Sequence, residues 1–209
     1  MSRAVLFSAY FPNIQYISKF IIYKNIIIDI FENYTKQTYR NRCIILTANG
    51  PLALTIPVKK NNHCLIKDVQ IDYSENWQKT HERTILSSYK NSPFYEYYID
   101  HFNKYFFVKE KYLLDLNNSI LNTILNILRI HDNIKMSTEF IDNDEYNYKD
   151  VIHPKKSKET ADIYFKTEPY IQVFSERYGF VENLSILDLI FSQGPMSLSV
   201  IKKSVLENK

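Results

Sequence analysis

Three cations, Lys36, Arg40 and Arg42, crowd with amides, two tyrosines and the Cys43 thiol into residues 32–43, which run directly into the apolar residues 44–46. Mixed donors converging beside a strand suit the capture of an anion such as a phosphate or carboxylate. Arg40 and Arg42 lie two apart, so on a strand both guanidiniums face one way and form a double fork. The alternative is a pair of solvated cations at a strand end. Lys36 and Gln37 would add donors from the preceding loop. Cys43 would then face the core as a small hydrophobe rather than act as a nucleophile.

Proton transfer needs a different residue. His81 lies one turn after Trp77 on the apolar stripe of a helix. It is the candidate general base or acid, because the ordinary imidazole pKa lies near neutrality. The competing reading is a core-edge histidine bonded to backbone. Tyr10, Pro12 and Gln15 fall where a first strand hands over to a first helix, the usual ligand end of an open α/β sheet, and a phosphate there would gain from the helix dipole. Asn117 and Asp188 interrupt apolar stripes and would orient a site residue or satisfy a helix end. His63, Cys64 and His81 have no metal-ligand spacing, so no metal and no cofactor is expected.

The elements that must position these groups follow from periodicity. Residues 4–7 and 26–30 read as buried strands flanking a helix that starts near Pro12, a βαβ unit with a parallel pair. Residues 42–46 and 52–58 flank Asn49-Gly50, a hairpin signal, with Leu52, Leu54, Ile56 and Val58 on the core face. Residues 69–71 would add a strand, and residues 59–63 an exposed loop. Asp72 would cap a helix carrying Trp77, His81, Thr84, Ile85 and Ser88 on one stripe. Pro93 opens another helix, and residues 113–130 give the clearest one in the chain. Residues 141–163 are polar and read as a mobile excursion, a lid. The tail carries a helical stripe of Ile171, Phe174 and Tyr178 ending at Gly179, a helix over 184–191 before Gly194-Pro195, and a last amphipathic turn. The fold class is therefore α/β. It has a mixed sheet with an N-terminal βαβ unit and a β-hairpin, followed by a largely helical C-terminal half. The expected organisation is one domain over 1–209, with an α/β part at 1–72 and a mainly helical part at 73–209.

Composition narrows the function. The chain has 209 residues, 45% of them hydrophobic and 15% aromatic, enough for a sizeable core. Only 3 glycines are present, and neither Gly-rich phosphate-loop motif occurs. The net charge of +3 is spread among acids, which fits a small anionic or phosphorylated substrate better than nucleic acid. No apolar run reaches membrane-spanning length, the apolar run within residues 1–7 is too short for the core of a signal segment, so none is expected, and the 2 cysteines make no disulfide framework. The expectation is a soluble, reduced, cytoplasmic protein.

Several motifs together resemble the WbqC-like protein family, in the form common in Bacteroidetes-type genomes. They include Ala9-Tyr10-Phe11-Pro12 with Gln15-Tyr16, Asn33-Tyr34 with Lys36-Gln37, Tyr39-Arg40-Asn41-Arg42-Cys43, and Thr55-Ile56-Pro57. Trp77 with His81, Ser92-Pro93-Phe94, Leu116-Asn117, Gly179-Phe180, Asn183-Leu184-Ser185 and Gly194-Pro195 extend the likeness over nearly the whole chain. Ser8-Ala9 stands where many relatives carry Gln-Pro. The resemblance implies a place in surface-polysaccharide biosynthesis (O-antigen or capsule) and transfer of an acyl or aminoacyl group, such as glycine, onto a sugar or nucleotide-linked sugar. In that scheme Lys36, Arg40 and Arg42 hold the donor's phosphates, His81 deprotonates the acceptor, and Tyr10 and Trp77 line the sugar pocket, with Gln15, Gln37 and Asn117 as further substrate contacts. The rival is a non-catalytic nucleotide-sugar-binding or scaffold protein of the same pathway. Donor, acceptor and oligomeric state are not written in the sequence.

Overall fold

The β-branched run after Asn25 and the small apolar run after Arg3 lack any polar alternation, as strands buried on both faces require. In the computed structural model, which describes residues 3–59, 64–131, 133–142, 146–155 and 160–206, these runs form β1 (Arg3–Leu6) and β2 (Asn25–Ile28). They pair in parallel, Arg3 against Asn25 through Leu6 against Ile28. The crossover is α1 (Ile14–Ile22), capped by Asn13, whose side chain accepts from the Tyr16 N–H at 3.0 Å. Pro12 sits just outside the helix rather than at its first position.

The antiparallel hairpin is a separate two-stranded sheet, β3 (Arg42–Thr47) and β4 (Gly50–Thr55), so parallel and antiparallel pairings are not mixed in one sheet. Its turn is centred on Ala48-Asn49, one residue earlier than expected, with Gly50 at φ 99° closing it. Leu54 and Ile56 are buried, but Leu52, near the tip, is 43% exposed. The expected strand at 69–71 is reduced to isolated bridges, Val58 to Ile71 and Gln70 to Tyr112.

Six α-helices follow the hairpin among the described residues. Asp72 accepts from the Ser74 N–H in a local turn, and α2 (Trp77–Tyr89) begins later, after Asn76. It is followed by α3 (Tyr95–Asn103) and α4 (Leu113–Leu128). Strand β5 (Asn133–Met136), which sequence patterning missed, joins the other edge of β2 in parallel. Only Ile134 and Met136 are apolar there, because an edge strand needs little burial.

The polar excursion is not free-standing in its described parts. Tyr146 and Tyr148 bond Val5 at 2.9 Å each, adding an extended segment to the β1 edge, and Tyr148 and Ile152 are buried. Two buried ion pairs pin it, Lys149 to Asp29 at 2.6 Å and Asp162 to Lys19 at 2.5 Å. Hydrophobic periodicity cannot see this anchoring, which is ionic.

In the tail the stripe at 171–178 shrinks to a single turn, α5 (Ser175–Tyr178), and Ile171 is 79% exposed. Helix α6 (Ile186–Gln193) is capped by Ser185 and leads through Gly194 to α7 (Ser197–Lys203). A Cβ on Gly194 would lie 2.4 Å from the Phe94 ring, which ties the Ser92-Pro93-Phe94 and Gly194-Pro195 motifs into one contact. One connected apolar cluster runs from Ala4 to Ile201. Among the described residues no helix is long and apolar enough to cross a membrane.

Candidate functional site

Lys36, Gln37 and Arg42 meet in one pocket of about 330 Å³, together with Tyr34, Asn41, Thr55, Lys59 and Cys64. The chain turns over residues 36–41, with Gln37 at φ 61°, before β3 starts at Arg42. A glutamine in that left-handed region is strained, and such strain concentrates at ligand sites. Asn41 fastens the turn to the end of β4. Its side-chain amide donates to the Ile56 carbonyl at 2.9 Å, and its backbone carbonyl accepts from the Ile56 N–H at 2.7 Å.

The electrostatics of this pocket are one-sided. Lys36, Arg42 and Lys59 line it, and no carboxylate does among the described residues. Asn41 Oδ1 and Arg42 Nε are buried without a protein partner. Unpaired buried polar atoms are rare and expensive, so bonding a ligand there would displace no existing bond. Burial pushes the Tyr34 phenol up to about 12, against the opposing pull of Arg42 and Arg40, so it stays a neutral donor.

Arg40 does not share the fork. It precedes the strand and is 5% exposed, with Nε and Nη2 bonded to the two Glu32 oxygens at 2.7 and 2.5 Å. The guanidinium also lies 4.6 Å over the Phe7 ring. The double-fork expectation is corrected here: Glu32, eight residues upstream, folds back and neutralises one of the two arginines. Burial raises the Glu32 pKa, with Arg40 opposing. Asn117 is part of this buried knot, donating to Ser8 Oγ at 2.9 Å and to the Arg40 carbonyl at 2.8 Å.

His81, Tyr10 and Trp77 form a second buried group, directly behind the pocket wall. His81 is 3% exposed and its Nδ1 lies 2.9 Å from the Tyr10 hydroxyl. It also hydrogen-bonds with the backbone of Thr55, the residue that lines the pocket and pairs with Arg42. Burial lowers its pKa to about 4, the Thr55 bond opposing only weakly, so the ring is neutral at physiological pH. Trp77 stacks edge-on at 5.1 Å. This arrangement is that of a core-edge histidine. Cys43 is fully buried, and burial pushes its thiol up, as expected for a small hydrophobe.

Gln15 lies apart again, in a cleft of about 550 Å³ with Tyr39, Ile44, Asp162, Thr167 and Asn183. The residues expected to act together thus occupy four places, and only Lys36, Gln37 and Arg42 share a pocket. Sequence patterning missed Tyr34, Asn41 and Lys59 as lining groups. Asn41 sits between the two arginines and could have been flagged on that ground. Lys59 begins the stretch expected to be an exposed loop, and residues 60–63 lie outside the described residues.

A parallel three-stranded α/β layer with an appended hairpin carrying a cationic pocket defines the class of this domain. The sequence profile of the WbqC-like protein family matches residues 7–168, and the chain belongs to that family. One similar protein is "Uncharacterized protein Rv1507c" of Mycobacterium tuberculosis (strain H37Rv), 28% identical over 142 residues. That match covers 66% of this chain and 58% of the relative's length. No solved structure matches.

Proposed function

We propose that the chain binds the phosphates of a nucleotide-linked sugar or an activated acyl donor in the Lys36–Arg42–Lys59 pocket. It would serve surface-polysaccharide assembly, the setting that the family resemblance implies, in the cytoplasmic compartment expected from the sequence. The carrying observation is the pocket's composition: three cations, no carboxylate among the described residues, and the unpartnered Arg42 Nε and Asn41 Oδ1. Both cysteines are free thiols, which suits a reducing compartment.

Binding is the reading that the geometry favours over transfer. An acyl or aminoacyl transferase needs a base in reach of the acceptor, and the buried His81 is bonded to Tyr10 and Thr55. Transfer remains the second reading because His81 lies one residue's thickness behind the pocket, through Thr55. Calorimetry with UDP- and GDP-linked hexoses tests the first reading. Binding should weaken with rising salt and fall about 10–100-fold in Arg42→Gln, the worth of one charge-assisted hydrogen bond. Equal affinity in the variant, or no binding, contradicts it. Product analysis after incubation with an acyl donor separates binder from transferase.

A further inference from the structure

The cleft around Gln15 differs chemically from the cationic pocket. We infer that it is a carbohydrate subsite, holding a neutral, hydroxyl-rich ring such as a pyranose. The inference deepens the proposed function, because it assigns the glycosyl part of the ligand whose phosphates the cationic pocket would hold.

The lining carries the argument. Gln15 and Asn183 clasp each other: the Gln15 backbone N–H donates to Asn183 Oδ1 at 3.0 Å, and Asn183 Nδ2 donates to Gln15 Oε1 at 3.0 Å. Gln15 Nε2 donates to Asp162 Oδ2 at 2.9 Å, and Lys19 pairs with that same oxygen at 2.5 Å. The Lys19 side chain is fully buried, so the Asp162 charge is compensated from behind. What faces the cleft is a fixed set of amide and carboxylate groups with spare N–H and lone-pair capacity and no net charge. Glu182 and Lys166 at the rim also balance each other. Tyr39 and Phe165 supply apolar ring surface. Paired amides, a carboxylate and aromatic rings are what a pyranose asks for, with hydroxyls on its edge and C–H groups on its face.

A second, independent observation points to a ligand. Thr167 lines the cleft, is 7% exposed, and its Oγ1 has no hydrogen-bond partner. Leaving a buried hydroxyl in that state is costly, so a hydroxyl-bearing ligand would find it unoccupied.

The two sites adjoin. Arg42 lines the cationic pocket and Ile44 lines the cleft, and they alternate with Cys43 and Ile45, both fully buried. Arg42 and Ile44 therefore share the outward face of β3, about 7 Å apart along the strand. One diphosphate-linked sugar spans that distance.

The test uses Thr167→Val, which keeps shape and removes only the unpartnered hydroxyl, so its melting temperature should match or exceed wild type. Calorimetry compares UDP with UDP-linked glucose, galactose and N-acetylglucosamine. Saturation-transfer NMR uses the three free sugars at millimolar concentration. We expect at least one UDP-sugar to bind five-fold or more tightly than UDP. We expect Thr167→Val to abolish that increment while leaving UDP affinity unchanged, and the matching free sugar to lose its transfer signal in the variant. The inference is overturned if sugars add nothing to UDP and show no transfer, or if Thr167→Val leaves both unchanged. Failure of UDP itself to bind, with free-sugar transfer intact and dependent on Thr167, removes the cationic-pocket reading and keeps the subsite.

Discussion

The buried state of His81 makes a quantitative prediction about acid stability. Its folded-state pKa is lowered from 6.5 to about 4, chiefly by burial. As pH drops below 6.5 the unfolded chain takes up a proton that the folded chain refuses, so stability falls as pH is lowered toward 4. The full gap corresponds to about 3 kcal/mol, and near pH 5 about 2 kcal/mol of it is already lost. Glu32 and Asp188, both raised by burial, act in the opposite sense in this range and mask the effect in wild type alone. Comparison with His81→Gln removes them, because they are common to both proteins. Urea unfolding of the two near pH 7 and near pH 5 should show the destabilisation caused by His81→Gln shrinking by about 2 kcal/mol at the lower pH. A destabilisation independent of pH would refute the reasoning. It would mean that the imidazole titrates normally, is open to solvent, and is available as a general base after all.

Gly194→Ala forces a Cβ within 2.4 Å of a rigid ring at φ 50°. It should lose about 3 kcal/mol or more, roughly 6–12 °C in Tm by calorimetry, and a near-normal Tm would contradict the packing described. Glu32→Gln leaves the buried Arg40 charge uncompensated and should cost about 3–5 kcal/mol in urea unfolding. Adding Arg40→Met should recover much of that loss, and a double variant no better than the single would argue against a buried pair.

Much of the scaffold was legible because it rests on local patterning. The unbroken apolar runs of β1 and β2, the Asn49-Gly50 signal at the hairpin, and the spacing of Leu113, Leu116, Ile120 and Ile124 on α4 each announce one element. Strand β5 and the anchoring of the polar segment were not legible. Their stability comes from partners more than 100 residues away, such as Lys149 with Asp29 and Asp162 with Lys19. The site was legible in half. Residues 32–43 do bring Lys36, Gln37 and Arg42 to one pocket, and Cys43 is fully buried. The pairing of Arg40 with Glu32 was hidden because a strand period assumed for residues 40–42 starts only at Arg42. Residue type and spacing singled out His81 but did not report that its ring is buried. The clasp of Gln15 with Asn183, 168 residues apart, leaves no local trace at all.

The central claim is that Arg42 anchors an anion in a pocket built by the turn before β3. The most direct measurement is a crystal structure of the protein grown with UDP. The account predicts a phosphate against Arg42, with oxygens about 2.7–2.9 Å from its guanidinium nitrogens and Lys36 or Lys59 closing over them. Phosphate bound elsewhere, or an Arg42 guanidinium paired with a protein carboxylate, would contradict it.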